Sequence, residues 1–155
     1  MWLDPAPGDS ASVDDIRIVT DLHHDLTCGD LDRVRPVIAS EFMMRQSTRL
    51  PWGGSYYGPD GFFEFHLRRL GYLDTRLSIE QLFDAGDRIV RVGTTHGVIR
   101  ATTTPLRCSQ VDVFTLRDRK LITYTTLLDA PALLTALEQS GMTRIGEIDP
   151  ESRPR

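Results

Sequence analysis

Over residues 77–83, 88–100, 106–116 and 120–128 the chain alternates apolar and polar side chains, and only DAGD, ATTTP and RDRK divide these four segments. A period of two is the mark of a half-buried strand. A parallel crossover needs a dozen or more residues, so connections this short imply an antiparallel meander. Such a sheet buries one face, and the rest of the chain must supply the cover.

The residues before it have helical spacing. Ile16, Val19, His23 and Leu26 recur at steps of three and four before Gly29, which predicts a helix over residues 13–28. A short second helix is predicted over 30–39, shortened or kinked by Pro36, and EFMMRQ reads as a short strand. The stretch LPWGGSYYGPDG then leads into a third helix with Phe62, Phe63, His66, Leu67 and Leu70 on its apolar stripe. Its second half, Gly58, Pro59 and Asp60, reads as a helix start. Its first half places Trp52, Tyr56 and Tyr57 on a glycine-rich segment, as a lid over a ligand or as ordinary packing. The sequence DAPALLTALEQSG is a closing helix, with Asp129 as its N-cap and Gly141 as its stop.

The order is α+β: helices, a curled sheet, then one more helix. At 155 residues the length suits one domain, and a chain of this size buries about 70% of its unfolded surface. The folded part is expected over 13–143, with 1–12 and 144–155 as loose termini. A net charge of −4 without a basic stripe argues against nucleic acid. Cys28 and Cys108 stand far apart and signal neither a disulfide framework nor a zinc site. The start lacks a signal-peptide pattern and no window has 18 apolar residues, so a cytoplasmic protein with no membrane partner is expected.

Which strand positions face inward decides the candidate site. The even positions are read as buried in all three later strands: Val90 to Val98, then Leu106 to Leu116, then Ile122 to Leu128. Pairing the hairpins symmetrically about their loops brings His96 near Gln110, and Asp112 near Tyr124 and Thr126. These five side chains would form one polar island on a concave apolar surface that includes Phe114. A carboxylate buried there must bond to its neighbours or hold a proton. His96 would move protons, Asp112 or Tyr124 would donate to a developing oxyanion, and Gln110 and Thr126 would orient a ligand. An equally simple reading is that the cluster satisfies itself and only specifies packing. His23 and His66, on apolar helix stripes, read as core histidines.

The GDLD turn after the first helix, PWGGSYYGPDGFFEF, VDVFTLRDRKLITYTTLLD and the short last helix together resemble the SnoaL-like branch of the nuclear transport factor 2-like superfamily. The resemblance covers roughly 13–141. It implies a cone-shaped α+β barrel, in which a bent antiparallel sheet wraps around the N-terminal helices and a pocket for a small apolar molecule, often in a homodimer. It implies neither cofactor nor metal. In its ketosteroid isomerase branch the sheet acid falls on Asp112, but the base position falls on Gln46 and the helix tyrosine on Leu22. In its limonene epoxide hydrolase branch the last-strand aspartate falls on Thr126, and no Arg-x-Asp stands in GTTHGVIR.

The residues assigned at this level are His96, Asp112 and Tyr124 for catalysis, and Trp52, Tyr56, Gln46, Gln110, Thr126 and Phe114 for binding. The functional expectation is a cofactor-independent acid/base enzyme of cyclase, isomerase or dehydratase type, acting on an apolar oxygenated ligand such as a polyketide or terpenoid. The alternatives are a non-catalytic ligand-binding or dimerisation module, an epoxide hydrolase with an atypical site, and a protein-interaction module.

Overall fold

The computed structural model describes residues 13–141. The expectations for 1–12 and 144–155 lie outside them. Helix α1 (Val13–Cys28) ends at Gly29, whose φ of 75° suits glycine. A single turn, α2 (Leu31–Val34), is capped by Asp30, whose carboxylate accepts from the Arg33 N–H at 3.3 Å. Around Pro36 the chain tightens into a 3-10 turn, Arg35–Val37. Strand β1 (Ile38–Gln46) starts at once, so the predicted helix to 39 is cut short and the strand is longer than EFMMRQ.

Within the glycine-rich stretch, Gly54–Tyr57 forms a short edge strand, β2, antiparallel to β1. Helix α3 (Gly58–Tyr72) comes next, with Pro59 in its first turn. Its Phe62 ring meets Phe42 of β1 edge to face at 5.5 Å. Trp52 is fully buried, 5.8 Å from the Tyr72 ring, and the Tyr56 hydroxyl donates to the Trp52 carbonyl at 2.5 Å. Both rings of the supposed lid are therefore core, and only Tyr57 is exposed.

The meander is β3 (Leu73–Asp84), β4 (Ile89–Ile99), β5 (Thr104–Arg117) and β6 (Lys120–Leu128), each antiparallel to the next. Helix α4 (Ala130–Gln139) then folds back on β5, capped by Asp129, whose own N–H donates to the Ser109 carbonyl at 3.0 Å. The sheet order is β2-β1-β6-β5-β4-β3, and β1 runs parallel to β6. The result is an α+β fold with a mixed, open six-stranded sheet. No helix among the described residues is long and apolar enough to cross a membrane.

One turn corrects the face assignment. Strand β4 ends at Ile99 and β5 begins at Thr104, with Thr103 at φ 56° donating its N–H to the Ile99 carbonyl at 2.8 Å. The tight turn, 100–103, is shorter and centred earlier than ATTTP, so Arg91 pairs with Asp112 and His96 with Arg107. An odd shift of register exchanges the faces of a strand. The buried positions of β4 are thus Ile89, Arg91, Gly93, Thr95 and Ile99, not the even valines. The even face of β5 is buried as expected. In β6 a bulge opposite Thr115 and Leu116 buries Leu121 instead of Ile122, and Tyr124 keeps its inward place.

At Gly97 the φ is 152°, and a Cβ there would overlap the Asp74 carbonyl oxygen of β3. Only glycine lets the two strands approach this closely. Gly97→Ala should lower stability by about 2 to 4 kcal/mol in urea unfolding. A change below about 0.5 kcal/mol would mean that β3 and β4 do not pair as described.

Candidate functional site

Because paired strand residues share a face, the registers define rows across the concave surface. Ile89, Phe114, Tyr124 and Met44 form an apolar and aromatic row, paired strand to strand from β4 to β1. The adjacent row is polar: Arg91 pairs with Asp112, Asp112 with Thr126, and Gln46 comes after the Arg45–Thr125 pair on β1. Beyond it, Gly93 pairs with Gln110 and Gln110 with Leu128.

The polar row is tied together at one end. Asp112 is completely buried, and its Oδ2 accepts from Arg91 Nε at 2.9 Å and Nη2 at 2.7 Å. Gln110 Nε2 lies 2.9 Å from both carboxylate oxygens, and the Tyr124 hydroxyl donates to Oδ1 at 3.2 Å. Thr95 Oγ1 donates to Gln110 Oε1 at 2.5 Å, which fixes the amide with its NH2 toward Asp112. The Arg91 guanidinium lies 5.0 Å from the centre of the Phe114 ring, which itself stacks on Tyr124 at 4.8 Å and 9°. Burial, and then the Asp112 charge, push the Tyr124 phenol up to about 12. It is a hydrogen-bond donor at neutral pH, not a proton reservoir.

The other end of the row is unsatisfied. Gln46 Oε1 is sealed from solvent without a partner, and Thr126 Oγ1, also sealed, lies against the Tyr124 phenol. Both residues line a pocket of about 440 Å³ between the ends of β1 and β6, the turn after β1 and α4. That volume lies within the usual range for small-molecule sites.

Over the row lie two histidines read from sequence as packing alone. His66 of α3 does pack, with ring centres 4.6 Å from Phe62 and 5.1 Å from Phe65. Its Nε2 is also buried without a partner. Burial first, then the charges of Arg69 and Arg91, lower its pKa to about 3, so the ring is neutral. His23 of α1 is half-buried, and burial and then Arg91 lower its pKa, with Asp112 opposing.

Of the nine residues named from sequence, Asp112, Tyr124, Gln110, Thr126, Phe114 and Gln46 share this surface. His96 does not: it is exposed on the opposite face of β4, with Nδ1 3.5 Å from the Ser78 hydroxyl. Trp52 and Tyr56 are held in the core and do not line the 440 Å³ pocket. Arg91 and the free nitrogen of His66 were missed. A signal for Arg91 was present, because a buried aspartate calls for a cation on the facing strand. Among the described residues no group of three histidine, cysteine or acidic side chains is placed to hold a metal ion.

The family model for the SnoaL-like domain matches residues 19–124. Among solved structures, an NTF2-like protein from Burkholderia thailandensis is 23% identical with a TM-score of 0.71, covering 79% of this chain and 96% of that one. A candidate SnoaL-like polyketide cyclase from Shewanella putrefaciens is 17% identical with a TM-score of 0.67, covering 83% and 99%. TerC, crystallised with polyporic acid, is 21% identical with a TM-score of 0.70, covering 81% and 98%. At these identities the likeness is one of fold. No curated protein matches the chain.

The electrostatics lead to two expected outcomes. Removing one partner of a buried ion pair strands the other charge, so Arg91→Met should cost about 3 to 5 kcal/mol. Arg91→Met with Asp112→Leu should recover most of that loss in a double-mutant cycle; no recovery would contradict the pairing. His66 is harder to protonate folded than unfolded, so the unfolded state takes up the extra proton as pH falls below 6.5. Stability should therefore drop from pH 6.5 toward about 3, and His66→Gln should flatten that part of the unfolding curve. An unchanged slope would place the ring in water.

Proposed function

The chain belongs to the SnoaL-like domain family, and from the site just described we propose that it binds a small, largely apolar, oxygenated molecule and acts on it by acid/base chemistry. The observation that carries this reading is the polar row itself. One end is a satisfied ion pair, while the other end and the overlying His66 keep buried hydrogen-bonding atoms without partners. Buried polar atoms are rarely left unpaired in a native protein, and a ligand hydroxyl or carbonyl would satisfy them.

The roles differ from those expected of a His96 and Asp112 pair. Asp112 is a positioning residue: it holds Arg91, Gln110 and Tyr124 in place. Arg91 has five N–H donors and spends two on Asp112, so others remain for a developing oxyanion. His66 Nε2 is the acid/base atom. A proton on it is disfavoured by burial and by two arginine charges. A negative oxygen near Arg91 offsets that repulsion, so enolisation of a ligand and protonation of His66 favour one another. Polyketide-like and terpenoid ketones have the required chemistry.

A second reading, a binding or dimerisation module without catalysis, is favoured by the saturation of Asp112, which already accepts from Arg91, Gln110 and Tyr124. Assembly as a homodimer belongs to either reading. On the outer face, Phe83, Val90 and Val113 form one apolar row, and Val92, Val111 and Leu127 a second. Phe83 and Leu127 are exposed, and a second copy of the chain would cover them.

Hydrogen–deuterium exchange at the α-carbon of a panel of aryl and polycyclic ketones, monitored by NMR, tests the reaction. The protein should accelerate exchange of at least one ketone, and His66→Gln should slow it about a hundredfold or more. Binding without acceleration would favour the non-catalytic module. Acceleration that survives His66→Gln would remove His66 from the chemistry.

A further inference from the structure

The outer face of the sheet brings together three basic side chains that lie far apart in the chain. Arg76 of β3 pairs with His96 of β4, and His96 pairs with Arg107 of β5, so the three form one cross-strand row. All three are exposed. Directly paired residues have Cβ atoms about 4.5 to 5.5 Å apart, and like charges placed so close destabilise a sheet. The chain carries a net charge of −4, so the fold rather than the composition concentrates these cations.

No carboxylate of the described residues relieves the row. Neither the Arg76 nor the Arg107 guanidinium has an ion-pair or hydrogen-bond partner among them. The nearest acids on β3 are engaged elsewhere: Asp74 lies 3.9 Å from Arg100, and Glu80 accepts from the Thr94 hydroxyl at 2.7 Å. Beside the basic row runs one of short hydroxylated side chains, in which Ser78 pairs with Thr94 and Thr94 with Ser109. The Ser78 hydroxyl lies 3.5 Å from His96 Nδ1, which leaves the other ring nitrogen, Nε2, to bond outward. The Val92 and Val111 pair comes only beyond the hydroxyls, so the basic row stands outside the apolar patch.

We propose that Arg76, His96 and Arg107 form an anion site for a phosphate monoester, on the sheet face opposite the acid/base site and independent of it. Neighbouring strands lie about 4.8 Å apart, so the two arginine backbones are roughly 10 Å apart, a span that two extended side chains close over His96. Each guanidinium fork can then meet oxygens of the same phosphoryl group, with the imidazole between them as a further donor. A phosphoryl group brings three acceptor oxygens and nearly two charges, enough for both forks. A carboxylate, with two oxygens and one charge, saturates only one.

NMR titration of the 15N-labelled protein at low salt tests this, with inorganic phosphate, phenyl phosphate and benzoate as probes. Both phosphates should shift the amide resonances of Arg76, His96 and Arg107 together. Read at these resonances, phenyl phosphate should bind at least about tenfold more tightly than benzoate, and added salt should weaken it. The double variant Arg76→Gln with Arg107→Gln should lose at least about tenfold in phosphate affinity. Its thermal midpoint without phosphate should equal or exceed the native one, because a like-charge repulsion is gone, and phosphate should raise the native midpoint alone. Vesicles containing phosphatidic acid separate two sources of the ester: a soluble ligand predicts no co-sedimentation, and co-sedimentation lost in the double variant would place the phosphoryl group on a lipid. Equal response to phosphate and benzoate would overturn the site, as would phosphate affinity that survives the double variant. A lower midpoint of the variant would overturn it too, because the arginines would then be held by the fold itself.

Discussion

A carboxylate with no exposure to solvent, Asp112, sits in the middle of the sheet and is neutralised by Arg91 on the neighbouring strand. Such a pair is weak evidence for extra stability, because taking two charges out of water offsets most of their attraction. Its consequence is specificity of register. If β4 slid by one residue against β5, Arg91 would turn outward and leave a bare charge in the core. The tight turn at 100–103 favours the same alignment. Local geometry and electrostatics therefore agree on one pairing, which is what a well-specified fold requires.

That register has a chemical result. Once Arg91 and Asp112 face each other, pairing carries the same row onto Thr126 and toward Gln46, across four strands. Donors satisfy the carboxylate at one end; at the other, the Gln46 side-chain oxygen is buried without a partner. The cation also reaches the roof, where it helps to keep His66 and His23 neutral. The site is positively biased, partly desolvated and unsaturated along one edge. These properties suit an oxygenated ligand that develops negative charge.

Much of this was legible in the residues alone. The period of the strands, the stop at Gly29, Pro36, and the cap at Asp129 located the elements, and the even face of β5 gave Gln110, Asp112 and Phe114 correctly. The failure lay in β4, where Val90, Val92 and Val98 resemble a buried face. They lie on the outer face, which carries apolar rows of its own, so hydrophobicity alone could not distinguish the two sides. Counting from the centre of ATTTP compounded the error, because Thr103 adopts a left-handed conformation that the residue type does not announce. Trp52 and Tyr56 show the converse: glycines around them suggested mobility, yet Gly54 starts a strand and both rings are packed. His66 is both things at once, a packed ring and a free nitrogen, and sequence spacing reports only the first.

The register and the site depend most directly on the buried guanidinium of Arg91. Side-chain 15N NMR at neutral pH reads it without any assumed ligand, through the hydrogen exchange of Arg91 Nε–H. The ion pair predicts a slowly exchanging resonance that is lost when Asp112 is replaced by Leu. Exchange as fast as that of the exposed Arg17 would contradict the ion pair, and with it the register and the site built on it.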